Sequence, residues 1–244
     1  MRLNRFNERI WFTDPQEETD RPVLYYIKGD RYSLAVDAGN SALHVQEFYQ
    51  LLKKEELKLP DFTVITHWHW DHTFGMHAVE GITIAGHKTN EKLREVKKWS
   101  WTDTAMQERI ASGEDILFCD QCIRREYEEP RKIQVVTADL EFVDRMVIDL
   151  GNITCELTEI EATHTRDSVI LFVPEEKFLF VGDADCEDHY TNGGKYDKVR
   201  LQEFVKNLKE IPFTYYGLGH EPPQTREEAF DYLETELAKL SKEL

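Results

Sequence analysis

The sequence predicts a domain that mixes β-strands with α-helices, and three observations support this prediction. At 244 residues, 41% of them hydrophobic, the chain is long enough for one substantial core. Short β-branched runs alternate with segments whose apolar residues recur at helical spacing. The order β-β-α-β appears twice in outline, although the two halves share no sequence period. We therefore expect a single domain over residues 1–244.

The first β-β-α-β unit begins with a hairpin. Segment 22–39 holds two β-rich runs joined by a turn at 28–30 that contains a glycine. A helix is expected next, ending near Lys58, because apolar residues recur at i, i+3, i+4 and i+7 at Val45, Phe48, Tyr49 and Leu52. Pro60 ends this helix, and segment 61–66, "DFTVIT", predicts a short strand.

A charged helical insertion divides the chain. After a predicted strand at 81–86, residues 88–131 lack strong β runs, which predicts an inserted helical cap. A helix whose buried face includes Leu201 and Phe204, a strand at 213–219 and a helix opened by a Thr225–Glu228 capping box complete the chain. Between the cap and these elements, strand-like segments are predicted at 133–136, 140–149, 152–161, 168–173 and 177–182.

Composition excludes several classes of protein. A net charge of −17 repels polyanions, so a nucleic-acid substrate is disfavoured and a small-molecule substrate is expected. No stretch approaches the apolar length of a membrane span, which argues against a membrane partner. The N-terminal residues lack the pattern of a secretory signal, and four cysteines fit a reducing compartment, so a cytoplasmic location is expected.

A dense cluster of metal-binding residue types follows the strand at 61–66. In "THWHWDH", His67 and His69 are two positions apart, so an extended backbone presents both imidazoles to one side. Asp71 and His72 continue around the turn and could face a second ion. Two ligands do not complete a zinc site, which takes four, so further donors must come from elsewhere in the chain.

Three more donors stand where predicted strands run out into loops. His164, Asp183 and His220 each follow a β-rich run, the latter two directly after a glycine. The ends of strands are where open α/β sheets build their sites. The remaining histidines lack this context and are interpreted as ordinary surface or core residues: His44, His77, His87 and His189.

These motifs, "HWHWDH", a lone histidine, "GDAD" and "GLGHEPP", resemble the metallo-β-lactamase superfamily with its HxHxDH signature, over nearly the whole chain. The resemblance implies an α+β fold, a four-layer αββα sandwich with a helical insertion at about 88–131 and metals at one edge between the sheets. It assigns His67, His69 and His164 to one metal ion. It assigns Asp71, His72 and His220 to a second ion, with Asp183 as the bridging carboxylate.

The resemblance implies a metal-dependent hydrolase with two divalent ions. Zinc is the expected metal, and iron or manganese are compatible. A hydroxide shared by the ions would attack an ester, lactone, thioester or amide bond of a small molecule, while Asp71 orients the nucleophile or carries a proton to the leaving group.

Within the superfamily, secreted β-lactamases commonly have cysteine where Asp183 stands. Glyoxalase II enzymes have a C-terminal extension, and here only 24 residues follow His220. Small lactonase-like hydrolases fit the length and the insertion best.

Three alternatives stay open beside this prediction. One is a phosphodiesterase acting on a small phosphodiester. Another is an iron-dependent oxidoreductase on the same fold, resembling a persulfide dioxygenase, although the complete second set of donors disfavours it. The third is a binding or sensor protein that has lost its metals, which the retention of all the donors disfavours.

Several side chains near the donors are weaker candidates. Arg166 could bind a substrate carboxylate or phosphate, or form a local salt bridge. Tyr190 and Tyr196 could polarise a substrate carbonyl or could simply be packed. Trp68 and Trp70 alternate with the donors and should point into packing. Cys119 and Cys122 form a C-x-x-C that is interpreted as two ordinary thiols, with a redox pair as the alternative.

The oligomeric state is not fixed by the sequence. Apolar residues in the cap are compatible with a homodimer.

Overall fold

The computed structural model describes residues 1–242 and folds into two β-sheets with helices packed outside them. Strand order in the first sheet follows the sequence. Its strands are Leu3–Arg5 (β1), Ile10–Thr13 (β2), Tyr25–Lys28 (β3), Ser33–Val36 (β4), Phe62–Val64 (β5), Ile82–Gly86 (β6) and Leu140–Phe142 (β7). The first four strands are antiparallel neighbours, whereas the β4–β5, β5–β6 and β6–β7 pairs are parallel.

The second sheet has the order β13-β12-β11-β10-β9-β8. Its strands are Arg145–Asp149 (β8), Thr154–Ile160 (β9), Ser168–Val173 (β10), Phe178–Gly182 (β11), Tyr215–Leu218 (β12) and Gln224–Thr225 (β13). All neighbouring pairs are antiparallel except β11–β12, which is parallel. Each sheet therefore contains at least one parallel pair, whose carboxyl ends point the same way.

Seven α-helices occur in the described residues. They are Ala42–Lys54 (α1), Trp70–Thr73 (α2), His87–Val96 (α3), Asp103–Ser112 (α4), Leu117–Glu126 (α5), Lys198–Glu210 (α6) and Arg226–Leu240 (α7). Short 3₁₀ turns lie at Glu17–Thr19, Met76–Ala78 and Pro130–Lys132. None of the helices within residues 1–242 has the length and apolar character needed to cross a membrane.

Strand alternation explains how the layers stack. In β11, Phe178 and Phe180 point into the core between the sheets, whereas Leu179 and Val181 pack under α6 and α7. In β3, Tyr25 and Ile27 face the same central core, while its other face packs against α1. Both sheets are thus buried on two faces, and the mixed α and β fold predicted from the motifs is confirmed as a four-layer αββα arrangement.

Local signals fix several helix ends. The Ser41 hydroxyl accepts a hydrogen bond from the backbone N–H of His44 and caps α1, which ends at Lys54, earlier than the predicted Lys58. The predicted capping box at the start of α7 is present, since Thr225 and Glu228 each bond the other's backbone N–H. Helices α3, α4 and α5 lie in the interval where a helical cap was predicted.

Two strand predictions were wrong, and three short strands, β1, β2 and β13, were not predicted. Segment 140–149 is not one strand: β7 and β8 belong to different sheets, and Asp144 between them has a left-handed φ of +61° that ends the extended backbone. Segment 133–136 forms no strand, although Ile133 and Val135 are buried against the helical cluster. Strands β1 and β2 were not predicted, because charged residues interrupt the apolar pattern before Ile10.

Candidate metal centre

The first donor loop leaves the carboxyl end of β5 and runs into the short helix α2. His67 and His69 lie in the extended part of the loop, while Asp71 and His72 fall in the four-residue helix. The Thr73 hydroxyl donates a hydrogen bond to the His69 carbonyl at 2.8 Å, which ties the helix back onto the loop. All four donor side chains are buried. One short segment therefore supplies donors that face in two directions.

One donor group consists of His67, His69 and His164, whose ligand atoms lie within 4.8 Å of one another. The Nδ1–H of His164 donates to the Glu187 carbonyl at 2.7 Å, so in the neutral ring its Nε2 carries a free lone pair. That Nε2 lies 2.8 Å from Nδ1 of His69. The His67 Nε2 is buried and has no hydrogen-bond partner among the described residues. Three imidazole nitrogens thus converge without enough protein donors to satisfy them.

The second donor group consists of Asp71, His72, Asp183 and His220, again within 4.8 Å. The Nε2 of His220 lies 3.1 Å from Oδ2 of Asp71 and 3.3 Å from Oδ2 of Asp183. The Nε2 of His72 lies 2.9 Å and 3.3 Å from the same two oxygens, yet it has no hydrogen bond of acceptable geometry within residues 1–242. Two carboxylates and two imidazoles therefore enclose one point.

Asp183 lies between the two groups. Its Oδ2 is 3.3 Å from both His72 Nε2 and His220 Nε2, and 3.8 Å from His164 Nε2 of the first group. Gly219 makes this position possible, because a Cβ there would overlap Oδ1 of Asp183 and lie 3.1 Å from the His72 ring. Within the described residues that Oδ1 has no hydrogen-bond partner. The carboxylate is held where it can face both groups.

Buried hydrogen bonds behind the donors orient the rings. The Asp37 Oδ2 accepts from Nδ1 of His72 at 2.8 Å, which leaves His72 Nε2 pointing at the carboxylates. The Thr66 hydroxyl donates to Asp37 at 2.9 Å and lies 3.1 Å from His67 Nδ1, so it directs His67 in the same way. Asp167 accepts from the Trp68 backbone N–H at 3.0 Å and fixes the loop. Such supports behind a histidine are typical of metal ligands.

Electrostatics differ between the two groups. Burial lowers the pKa of His67, and of His69 beside His164, so both rings are neutral, the form that binds metal. Burial alone would raise the pKa of Asp183, but His220 and His72 hold it well below its usual value. Burial would likewise lower the pKa of His72, but Asp71 and Asp183 outweigh it and raise that pKa. A cation binding at the second group would therefore replace a proton.

This donor chemistry fits divalent metal ions. Imidazole nitrogens and carboxylate oxygens are ligands of zinc and of the neighbouring first-row metals. The unsatisfied buried nitrogens of His67 and His72 are the polar atoms that a bound cation would satisfy. The two groups can therefore hold metal ions, in an arrangement consistent with a dinuclear site.

A cavity of about 490 Å³ opens onto both groups. Its floor includes His69, Asp71, His164, Asp183 and His220, and α5 with its N-cap covers it through Ile116, Phe118 and Cys119. A second cavity of about 400 Å³ lies beside it and shares His69, His164 and Tyr190 with it. The predicted cap region thus forms one wall of the space above the donors.

The weaker candidates for substrate binding differ in their position relative to the two cavities. Arg166 lines only the second cavity, and Tyr190 lines both. Tyr196 lines neither, because its buried hydroxyl donates to the Asp185 carbonyl and meets the Tyr232 hydroxyl at 2.8 Å. The structure therefore does not bring Tyr196 to the donors, contrary to its candidacy for substrate binding.

The aromatic residues between the donors also differ. Trp70 is buried and packs on Phe74, as predicted. Trp68 packs against Tyr190 with ring centroids 5.2 Å apart, but it also lines the second cavity, so the prediction of packing alone is incomplete. His189, interpreted as an ordinary histidine, lines the cavity of about 490 Å³ above the donors, which we call the metal cavity. Cys119 and Cys122 are buried free thiols outside both donor groups.

Two functional neighbours were missed from the sequence. Asp37 follows β4 and precedes a short "AG" turn, the strand-end context that identified Asp183, so the same test would have found it. Asp20 lines the metal cavity, and its Oδ1 lies 3.8 Å from Nδ1 of His220. It belongs to a loop far from any motif, and no sequence signal marks it.

Two facing sheets with helices outside them, and two His/Asp groups that could hold metal ions, define the class of protein as an αββα fold with a candidate metal centre. The family model described as the metallo-beta-lactamase superfamily matches residues 22–220. The chain belongs to this superfamily. No curated protein matches the chain.

Solved structures share the fold at low sequence identity. A metallo-beta-lactamase from Pontibacter korlensis has 16% identity and a TM-score of 0.66, with 98% of each chain covered. The DIM-1 metallo-beta-lactamase has 17% identity and a TM-score of 0.63, covering 97% of this chain and 95% of that one. A stereoselective inverting sec-alkylsulfatase, Pisa1 from Pseudomonas sp., has 14% identity and a TM-score of 0.71, covering 97% of this chain but 41% of the sulfatase. At these identities the likeness concerns the fold alone.

Proposed function

We propose that this protein is a dinuclear-metal-dependent hydrolase of a small molecule. The observation that carries the proposal is the position of Asp183, whose Oδ2 faces His72, His220 and His164 at 3.3, 3.3 and 3.8 Å. A carboxylate between a three-histidine group and a second His/Asp group is suited to bridging two cations. Superfamily membership and hydrolases among the structural neighbours support the same class of reaction.

His67, His69 and His164 would hold one ion, and Asp71, His72 and His220 the other. Zinc is the metal we propose, because the nitrogens of neutral imidazoles and the oxygens of carboxylates are among its usual ligands. When bound, such a pair of ions lowers the pKa of water between them toward about 7 and polarises the substrate oxygen, which supplies a nucleophile at neutral pH.

Asp71 is the residue proposed to act on protons. Its buried Oδ2 lies 3.1 Å from His220 Nε2, and its carboxylate lines the cavity above both groups. Burial would raise its pKa, but His72 and His220 hold that pKa well below the usual value, so the group is an acceptor at neutral pH. Asp71 can therefore orient the attacking water and pass its proton to the leaving group.

Cavity size and charge guide the choice of substrate. About 490 Å³ lies within the range of small-molecule pockets, and a net charge of −17 disfavours nucleic acid. We propose an ester, lactone, thioester or amide as the scissile bond, and the cytoplasm as the place of action. A phosphodiester or sulfate ester is the second candidate, favoured by the lysines and arginines that line the neighbouring cavity.

A substrate panel tests this proposal. Zinc-loaded protein is assayed with lactones, thioesters, phosphodiesters, sulfate esters and β-lactams, beside the variants His69→Ala and His87→Ala. Turnover of at least one bond class is expected, lost in His69→Ala but kept in His87→Ala, because His87 is a partly exposed histidine that pairs with Glu91 and Glu141. Oxygen consumption with a single iron ion and no hydrolysis would contradict the proposal.

A further inference from the structure

A chamber of about 400 Å³ adjoins the proposed metal cavity on the far side of Tyr190. The two spaces share three residues, His69, His164 and Tyr190. Two of these belong to the first donor group, so a molecule whose reacting bond lies over the donors can extend one end into the chamber. We call this space the side chamber.

Tyr190 forms a fixed partition between the two spaces. Its ring lies against His69 with centroids 4.8 Å apart, and against Trp68 at 5.2 Å. Its hydroxyl donates to Asp115 Oδ1 at 3.2 Å and meets the Cys119 sulfur at 3.4 Å, which anchors it to the cap. Tyr190 therefore gives the side chamber an aromatic wall, whose ring is held by packing and whose hydroxyl is held by hydrogen bonds to the cap.

Basic side chains surround the rest of the side chamber. Four basic residues line it, against three acidic ones, in a protein whose net charge is −17. The basic residues are Lys88, Lys92, Arg166 and Arg200, and the acidic residues are Glu114, Asp167 and Asp188. The local excess of positive charge runs against the charge of the whole molecule.

Two of the three acidic residues are already engaged. Asp188 accepts from the Arg200 guanidinium at 2.7 Å, and Asp167 accepts from the Trp68 backbone N–H and the Thr89 hydroxyl. Of these three acidic residues, Glu114 is exposed, and its carboxylate has no hydrogen bond to any residue in the range 1–242. Asp188 therefore offsets the charge of Arg200, and Glu114 is the exposed acidic group that a ligand would meet.

Among the basic residues, Arg166 is the one left available. Lys88 pairs with Glu161 at 3.0 Å, and Lys92 pairs with Glu95 while lying 5.1 Å from the Trp68 ring centroid. Arg166 is exposed and forms no ion pair with any residue in the described range 1–242. Its planar guanidinium can therefore donate a forked pair of hydrogen bonds to an oxyanion.

We propose that the side chamber binds an anionic group of the substrate, a carboxylate or a phosphate, through Arg166, with Trp68 and Tyr190 as an apolar wall. The proposal rests on the proposed hydrolytic function, since it describes the far end of the same substrate. It narrows the substrate to a molecule with an oxyanion on one side of the bond that is cleaved. It also makes Arg166 the residue that determines the preference for anionic over neutral substrates.

Binding of simple anions to the metal-loaded protein tests this inference. Phenylacetate is titrated by calorimetry beside its neutral match phenylacetamide, and phenyl phosphate distinguishes phosphate from carboxylate as the preferred anion. Tryptophan fluorescence locates the ligand, because a change that disappears in Trp68→Phe comes from the side chamber. We expect phenylacetate or phenyl phosphate to bind at least about tenfold more tightly than phenylacetamide, the effect of one charged hydrogen bond.

Three variants separate the side chamber from the metal ions. Arg166→Gln is expected to weaken anion binding about tenfold and to leave phenylacetamide unchanged. Glu114→Gln is expected to strengthen anion binding by up to about fivefold. Arg5→Gln removes an exposed charge outside both cavities, on β1, and should change neither.

Equal binding of the charged and neutral probes, or equal losses in Arg166→Gln and Arg5→Gln, would overturn the inference. These titrations measure binding and not turnover. If they fail while a substrate is hydrolysed, the proposed function survives. If they succeed while no substrate is hydrolysed, the proposed function fails.

Discussion

Asp37 provides a sharp test of how the donor groups are held. Its carboxylate accepts from the Thr66 backbone N–H and the His72 Nδ1, both at 2.8 Å, and from the Thr66 hydroxyl at 2.9 Å. Asp37→Asn keeps the shape of the side chain. Whichever way the amide turns, its NH₂ faces the N–H of Thr66 or of His72, so one hydrogen bond is lost.

The backbone should tolerate this substitution. Asp37 has a left-handed φ of +65°, and asparagine adopts that region more readily than most residues. The change is therefore confined to the hydrogen bonds that Asp37 accepts from Thr66 and His72 behind the donors. Loss of such a support weakens metal binding by about tenfold to a hundredfold, which corresponds to roughly 1.4–2.7 kcal/mol.

The assay is competition for zinc against a chromophoric chelator, with the free energy of unfolding measured on the same samples. Asp144→Asn is the matched control, because Asp144 has φ of +61°, is exposed and lies outside both donor groups. Asp37→Asn should lose zinc affinity while Asp144→Asn retains it. Unchanged zinc affinity in Asp37→Asn would refute the role of Asp37 in holding the donor rings through Thr66 and His72.

Further outcomes are expected at three other positions. Gly219→Ala should lower the metal content, because a Cβ at position 219 would overlap Asp183. Gly217→Ala is the control and should lower thermal stability alone, because its Cβ would lie 2.7 Å from Phe178 in the core. Equal metal content in the two variants would contradict the role of Gly219. Thr225→Ala removes the α7 capping box and should cost about 1 kcal/mol of unfolding free energy in denaturant titrations, with metal content unchanged. Burial lowers the pKa of His44 below its ordinary value, so the unfolded chain takes up the proton first as pH falls below about 6.5. Wild-type protein should then lose stability relative to His44→Gln by at most about 1.4 kcal/mol per pH unit, and parallel stability curves would exclude this.

The donors could be predicted because they occupy equivalent places in the fold. His67 follows β5, Asp183 follows β11 and His220 follows β12. Strands β4 and β5 are parallel, as are β11 and β12, so the carboxyl ends of each pair point the same way. A strand signal followed by a glycine or a polar donor was therefore enough to find residues that lie far apart in the sequence.

The surroundings of the donors were harder to predict. The contact between Tyr190 and Cys119 joins residues 71 positions apart and depends on where α5 lies over the cavity. No periodicity in the cap specifies that placement. Tyr196 has the same chemistry and stands in the same loop, yet it turns toward Tyr232 on α7, because the direction of a loop side chain is set by tertiary packing.

The predicted strand at 140–149 was wrong for a similar reason. Segment 140–149 has the alternation of one strand, but its two halves join different sheets through the left-handed backbone at Asp144. Aspartate tolerates that conformation without requiring it, so the sequence carries no strong break signal. The crossing from one sheet to the other is a tertiary property of the sandwich.

Metal content measured by mass spectrometry, on protein purified without added metal, tests the dinuclear centre most directly. About two divalent ions per chain are expected in the wild type, mostly zinc, because the seven donors form two groups around Asp183. His164→Ala and His220→Ala should each reduce this number, and His87→Ala should not. A wild-type protein that holds no metal, or a single iron ion that survives both substitutions, would contradict the assignment.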